Sequence, residues 1–458
     1  MDRKDTRLRV PKIVLFNRAL QRSLCYRGRA NRGVVWNEIP PEAPMPADPN
    51  RVIANLKELA ALTSDANGAQ RVAFTPTWRR AREWFAGKLD GQAITRHLDA
   101  AGNSWVELPG ASPRSLVLGS HLDSVPNGGW LDGALGVITA LEVLCGIARD
   151  TNGRPPFTIR VVDWADEEGA RFGRSLFGSS AFAGTHSIAA DRTRTDRDGV
   201  TLESALAACG IEIDRIGEAA RERENIAAYL ELHIEQGPVL ERLGLPLGAV
   251  LGTKGVERHA ITFHGREAHS GSTPMADRRD ALAAAARLAL EIRNIASHHP
   301  DAVCTMGSVK TFPGIVTAVV GRCEVTLDQR DLDSAILAAM YREAQEASRR
   351  FAEQERCTVE WSRIWNIEPI AFHPALIALC QQAIADTLGA PAHSLPSGPL
   401  HDAAEVARLG IPTVMMFTQS LGGISHNKIE DTRLEHLRLA VTAFDRLAAK
   451  TLGWMESQ

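Results

Sequence analysis

Three short apolar runs, each broken off by a histidine or an acidic group, constrain this chain more than any other feature. Ser115–Gly119 leads into Gly119-Ser-His121-Leu-Asp123. Phe157–Trp164 leads into Asp166-Glu167-Glu168-Gly169, and Tyr229-Leu-Glu-Leu-His233 ends on its own histidine. Short runs rich in Val, Ile and Leu, bounded by Gly and polar residues, read as buried strands. Helical patterns lie around them. One starts near Asp48-Pro49-Asn50 with Leu56, Leu59 and Leu62 in step, another spans 77–89, and a third covers Leu135 to Ala148. Strands alternating with helices predict an α/β layered core on a mostly parallel sheet.

The pattern changes after about residue 250. Val256–His264 alternates like a strand with one wet face. A helix over 278–298 follows, then strands at Cys304–Lys310 and Arg322–Arg330, a long helix over 333–355, and a strand at Thr358–Ile364. That β-α-β-β-α-β order is the ferredoxin-like arrangement. The α/β pattern resumes at Ala371–Leu388, with an apolar strand at Ile411–Phe417. The chain thus reads as one α/β domain in two parts, 46–249 and 368–458. An α+β domain over 250–367 interrupts it.

Residues 1–45 stand apart, with Arg and Lys crowded from Arg3 to Arg32. The apolar stretch Val10–Phe16 is short and holds Pro11 and Lys12, so it makes no signal peptide. A loosely docked extension is the expectation; a basic arm for nucleic acid or anionic membrane is the alternative. For the whole chain, 44% hydrophobic and 23% charged residues with a net charge of -3 describe a soluble globular protein. That balance argues against nucleic acid as the main partner. No apolar run approaches the roughly 18 residues that a membrane span needs. Seven scattered Cys without a CxxC fit a reduced, cytoplasmic protein.

The chemistry lies at the strand ends. His121, Asp123, Glu167, Glu168 and His233 follow or end strands, Asp132 immediately precedes a helix, and His426 sits in Gly422-Gly-Ile-Ser-His426. In an open parallel sheet, loops at the carboxyl ends of strands gather on one edge, so residues far apart in sequence can surround one point. Imidazole with carboxylate suits Zn, Mn or Co rather than Ca or Mg. Asp166-Glu167-Glu168, buried together, would repel without a cation. Singly, each motif has a plainer reading. A histidine after a strand is commonly a hydrogen-bonded loop residue. Asp132-Gly133 makes a turn, and three acids can start a solvated helix. Only the order and spacing of the whole set favour a metal site.

Taken in order, the segments resemble the M20 family of metallopeptidases and amidohydrolases. The resemblance is to its hydantoinase/carbamoylase branch, with N-carbamoyl-L-amino acid hydrolases, β-ureidopropionases and allantoate amidohydrolases. It runs from about residue 50 to the C-terminus. It rests on Gly119-Ser-His-Leu-Asp-Ser-Val-Pro-Asn-Gly-Gly129, Asp166-Glu-Glu-Gly-Ala-Arg-Phe172, Gly178-Ser-Ser-Ala-Phe-Ala-Gly184, Leu232-His-Ile-Glu-Gln-Gly237, His269-Ser-Gly-Ser-Thr-Pro-Met275 and Ile424-Ser-His426.

The resemblance implies a zinc-peptidase-like catalytic domain and an inserted dimerisation and lid domain. It also implies two divalent ions, Zn first with Mn or Co as alternatives, bridged by Asp132. His121 and Glu168 would hold one ion, His233 and His426 the other. Glu167 would be the general base for a water held between the ions, and Asp123 would steady His121. His269 would reach in from the partner subunit of a homodimer to steady the oxyanion. Arg330 would clamp the substrate carboxylate; a surface pair with Asp328 or Asp331 is the plainer reading. Gln236, Thr317, Gly423 and His401 complete the expected substrate contacts.

Two positions depart from the branch. Thr317-Ala-Val-Val-Gly321 has Thr where an Asn is usual, and Ser397-Gly-Pro-Leu-His401-Asp402 puts Leu400 beside the pocket. Neither is an expected ligand. The leading expectation is hydrolysis of a non-peptide C–N bond in an N-carbamoyl-L-amino acid. Allantoate or β-ureidopropionate comes next, then an aminopeptidase or dipeptidase. Outside enzymes, the alternative is a catalytically dead, metal-stabilised binding protein, for which a free carboxylate at Glu167 would have no use.

Overall fold

A computed structural model describes residues 47–89 and 94–458. The basic extension and Cys25 lie outside them. The six cysteines inside are all free thiols. Among the described residues no helix is long and apolar enough to cross a membrane.

Helix α1 (Pro49–Thr63) starts where the sequence says it should. The Asp48 carboxylate accepts from the Asn50 amide at 2.9 Å, and Pro49 fills the first turn. Val52, Ile53, Leu56 and Leu59 are buried, whereas Leu62 is exposed. A two-residue hairpin follows, β1 (Ser64–Asp65) with β2 (Gly68–Ala69), then α2 (Pro76–Gly87). Strands β3 (Thr95–Leu98), β4 (Ser104–Leu108) and β5 (Ser112–His121) lead to α3 (Ala134–Asp150) and β6 (Phe157–Trp164). Short helices α4 (Phe177–Ala183), α5 (Ile188–Arg192) and α6 (Leu202–Ala207) precede β7 (Ile226–Ile234). Then come α7 (Val239–Leu243) and β8 (Leu247–Thr253).

The chain then enters a second sheet. It is built from β9 (Gly255–His264), β10 (Ala268–His269), α8 (Ala281–Ser297), β11 (Val303–Phe312), β12 (Ala318–Val319), β13 (Arg322–Asp331), α9 (Ser334–Gln354) and β14 (Thr358–Ile367). It returns through β15 (Ile370–Ala371) and α10 (Pro374–Leu388). The last elements are β16 (His393–Ser397), α11 (Asp402–Arg408), β17 (Thr413–Thr418) and α12 (Leu434–Glu456).

The large sheet has the order β15-β8-β17-β7-β5-β6-β4-β3, with β16 also on β8. Its four central strands, β17-β7-β5-β6, run parallel. The margins do not: β4 pairs antiparallel with β6, β3 with β4, and β17 with β8. The mostly parallel sheet expected from the sequence is therefore a mixed one. The link from β3 to β4 is too short for the crossover that a parallel pair requires. Alternate residues along β5 serve opposite faces. Leu116 and Leu118 pack with residues of α1, α3, α10 and α12, while Val117 packs with Phe182 of α4 and Val406 of α11.

The second sheet is four-stranded and antiparallel, in the order β11-β13-β9-β14. One face buries Ile261, Phe263, Val325 and Leu327 against Leu288 of α8 and Met340 of α9. On the other face Arg258 stands directly across from Asp328, two residues before Arg330. The chain passes between the sheets at Lys254 and again at Glu368–Pro369.

Candidate active site

The parallel centre of the large sheet delivers its side chains to one place. His121 is the last residue of β5, and His233 lies one residue from the end of the neighbouring β7. Their rings stack with centroids 5.7 Å apart. Asp132 precedes α3, and its amide donates to Glu430 Oε1 at 3.1 Å, as does the amide of Leu131. Glu167 and Glu168 follow β6. Their amides donate to Asp123 Oδ1 and Oδ2, each at 3.2 Å. Asp123 thus splints the acidic loop, with its Oδ1 also 3.5 Å from His121 Nδ1.

Asp132 is the hub. On one side His233 Nε2 lies 3.2 Å and His121 Nε2 3.8 Å from its Oδ1. On the other, His426 Nε2 lies 3.5 Å from Oδ2 and 3.2 Å from Glu168 Oε2. The ligand atoms of His121, Asp132 and His233 come within 4.8 Å of one another, as do those of Asp132, Glu168 and His426. This grouping differs from the expected one, in which His121 paired with Glu168 and His233 with His426. The reason is topological: β5 and β7 are neighbours, so their terminal histidines share a side. Glu167 Oε2 lies 3.8 Å from His121 Nε2 and belongs to neither group.

The donor set fits divalent metal. Asp132 Oδ1, His233 Nε2 and Glu168 Oε1 are buried without a hydrogen-bond partner, a costly state that a cation relieves. A third cluster, Glu231 with His233 and His401, fits less well. Glu231 already accepts from Ser120, Tyr229 and the Ala403 amide. Burial pushes the Glu167 and Glu168 carboxyls well above their usual range. Burial would lower His121, but the charges of Glu167, Asp123 and Asp132 outweigh it and hold its proton well above the usual value. Carboxylates that hold a proton there can hold a metal ion in its place.

These groups open into a cavity of about 810 Å³. Gln236 lines it, and its amide donates to Asp132 Oδ2 at 2.9 Å. Gly423 lines it with φ 64°, where a side chain would meet the Pro238 nitrogen at 2.7 Å. Buried His401 packs its ring 4.5 Å from that of His233 and pairs with Ser397 Oγ at 3.0 Å. Burial, then the charge of His233, hold it well below the usual histidine range. Leu400 is part of the wall, as its place in the sequence suggests. Arg330 reaches the cavity from β13 and also pairs with Asp328 at 2.8 Å. The plainer expectation, a pair with Asp328, is thus met by a residue that also lines the cavity.

Two expected residues are not brought to this cavity within one chain. His269 and Thr317 are exposed and lie together at the β10–β12 pair, where the Ser270 amide donates to the Thr317 carbonyl at 2.9 Å. His269 Nδ1 accepts from the amides of Gly271 and Ser272. The short β10–β12 pairing fixes both residues to the second sheet's side of the molecule.

Two residues were missed. Glu430 is buried and holds the Asp132 loop, and Ser425 Oγ bridges the two carboxylates, 2.9 Å from Glu430 Oε2 and 2.8 Å from Asp132 Oδ2. The Glu430 carboxyl is pushed up to about 7 by burial, then by the charge of Asp132. In sequence it sits in a polar run that reads as a surface loop. Arg258 also lines the cavity. Its place on the wet face of an alternating strand does not by itself distinguish a cavity wall from solvent.

Residues 117–450 match peptidase family M20/M25/M40. The N-carbamoyl-L-amino acid amidohydrolase of Geobacillus stearothermophilus is 36% identical over 370 residues, covering 80% of this chain and 89% of its own length. The allantoate amidohydrolase of Escherichia coli (strain K12) is 31% identical over 398 residues, covering 85% and 94%. Among solved structures, an amidase of the hydantoinase/carbamoylase family from Burkholderia multivorans matches with a TM-score of 0.80 at 32% identity. That match covers 88% of this chain and 97% of the amidase.

Proposed function

The chain belongs to peptidase family M20/M25/M40, and from that premise we propose that it is a two-metal amidohydrolase acting on N-carbamoyl-L-amino acids. The observation that supports this most is the arrangement about Asp132. Two ligand groups share its carboxylate, while Glu167 stands beside them uncommitted. Two divalent ions held there, zinc with manganese or cobalt as alternatives, would lower the pKa of a water toward neutrality and polarise the scissile carbonyl.

The chain's own residues do the rest. Glu167 takes the proton from the attacking water and hands it to the leaving nitrogen. Asp123 fixes its backbone. Arg330 takes the substrate carboxylate, Gln236 reaches the ureido group, and Gly423 and His401 shape the wall. Products are the amino acid, ammonia and carbon dioxide.

The block 250–367, a ferredoxin-like insert in this reading, is the lid and dimerisation domain. Exposed Leu282 and Leu290 on α8, with Val303 and Val309 on edge strand β11, offer the surface for a second copy. His269 of the partner subunit then completes the site, with Thr317 travelling beside it.

The test is ammonia release from N-carbamoyl-L-amino acids, allantoate, β-ureidopropionate and dipeptides, after chelation and refilling with Zn, Mn or Co. Turnover of the carbamoyl derivatives above the others is expected. Preference for dipeptides would overturn the reading. Allantoate stays in the panel because of the Escherichia coli relative.

A further inference from the structure

The lid wall of the cavity carries a second cation. Arg258 of β9 and Arg330 of β13 both line it, from neighbouring strands. Asp328 stands between them and does not itself line the cavity. Its Oδ2 accepts from Arg258 Nε at 2.6 Å and its Oδ1 from Arg330 Nε at 2.8 Å. Arg330 is further tied by Nη1 to the Gly398 carbonyl at 3.3 Å and by Nη2 to Asp328 at 3.4 Å. Arg258 has no other protein acceptor among the described residues, and its guanidinium lies 5.2 Å from the centroid of the Trp365 ring.

A guanidinium presents five donors in a planar fork. It can therefore hold Asp328 along its Nε edge and a second acceptor along its Nη edge. One carboxylate satisfies one such edge two-pronged. A substrate with a single carboxylate fills the edge of Arg330 and leaves that of Arg258 unmet. Asp328 fixes the two forks relative to each other, so their spacing is built into the sheet.

Resting on the hydrolase reading above, we propose that Arg258 is a specificity-determining residue that reads a second acidic group. The favoured substrates are then N-carbamoyl derivatives of dicarboxylic amino acids, aspartate and glutamate. Arg330 takes the α-carboxylate and Arg258 the side-chain carboxylate.

The experiment compares kcat/KM of the metal-loaded enzyme for N-carbamoyl-L-glutamate with that for its near-isosteric amide, N-carbamoyl-L-glutamine. N-carbamoyl-L-methionine serves as an apolar control. The acid should exceed the amide by about tenfold or more, the scale of one charge-assisted hydrogen-bonded pair. In Arg258→Met that ratio should fall to near one, mostly through KM, and Arg258→Lys should restore part of it. Thermal melts confirm that each variant is folded. Turnover of glutamine and methionine derivatives with a wild-type ratio near one overturns this inference alone. So does a ratio unchanged in Arg258→Met. Turnover of none of the three derivatives overturns the carbamoyl reading, and this inference with it.

Discussion

Glu167 and Glu168 are neighbours in sequence, share the splint of Asp123, and still face different partners. Glu168 reaches to 3.2 Å from His426, whereas Glu167 stops 3.8 Å from His121. A carboxylate committed to metal loses basicity and freedom of orientation for proton transfer; an uncoordinated neighbour keeps both. Glu167→Gln should therefore keep its metal content and lose about 10²–10⁴-fold in turnover, the usual cost of removing a general acid or base. Metal analysis alongside the assay checks this. Metal loss in Glu167→Gln would exchange the two roles. Four of the five expected ligand residues, His121, Asp132, Glu168 and His233, stood out because each ends or follows a strongly apolar strand or just precedes a helix. Glu430 did not, because its burial comes from afar. It packs against Gly129, where no side chain competes for its place. Arg258 was not legible either, since a lone arginine on a wet strand face looks the same whether it meets solvent or a cavity.

At the scale of elements, the central strands and the long helices of the second sheet follow the sequence pattern closely. The expected strand at Phe157–Trp164 matches β6 end to end. The margins do not follow it. Strand β8, Leu-Gly-Ala-Val-Leu-Gly-Thr, has glycines that weaken any local signal, and its strand character comes from pairing with β17 and β16. Helix α12 starts without a side-chain cap, so nothing local announces it.

That helix also carries a pH-sensitive cost. Asp445 is buried, and burial pushes its carboxyl up to about 7, with the charges of Asp150 and Glu142 adding to the shift. Its unfolded value is about 3.9. Between these values the folded chain keeps a proton that the unfolded chain has lost, so stability falls as pH rises through that window. Asp445→Asn removes the titration. Its melting temperature relative to wild type should therefore climb from pH 5 to pH 8, by the equivalent of a few kcal/mol at most. A pH-independent difference would show that Asp445 ionises freely in the folded chain.

For the whole molecule, the separation of His269 from the cavity of its own chain matters most. If the partner supplies it, a dimer mixing His269→Ala chains with Glu167→Gln chains contains one site with both residues intact. Activity should then recover when the two inactive variants exchange subunits. Absence of recovery despite proven exchange would confine His269 to its own chain or remove it from the reaction.

Beneath all of this lies the claim that two ions about Asp132 drive C–N bond hydrolysis. Calorimetric titration of chelated protein with Zn or Mn, with ammonia release from an N-carbamoyl-L-amino acid assayed on the same samples, tests it most directly. The expected result is two ions bound per chain, with activity absent from the chelated protein and reaching its plateau as the second ion binds. Full activity in the chelated protein, or a plateau reached at one ion with no second binding event, would contradict it.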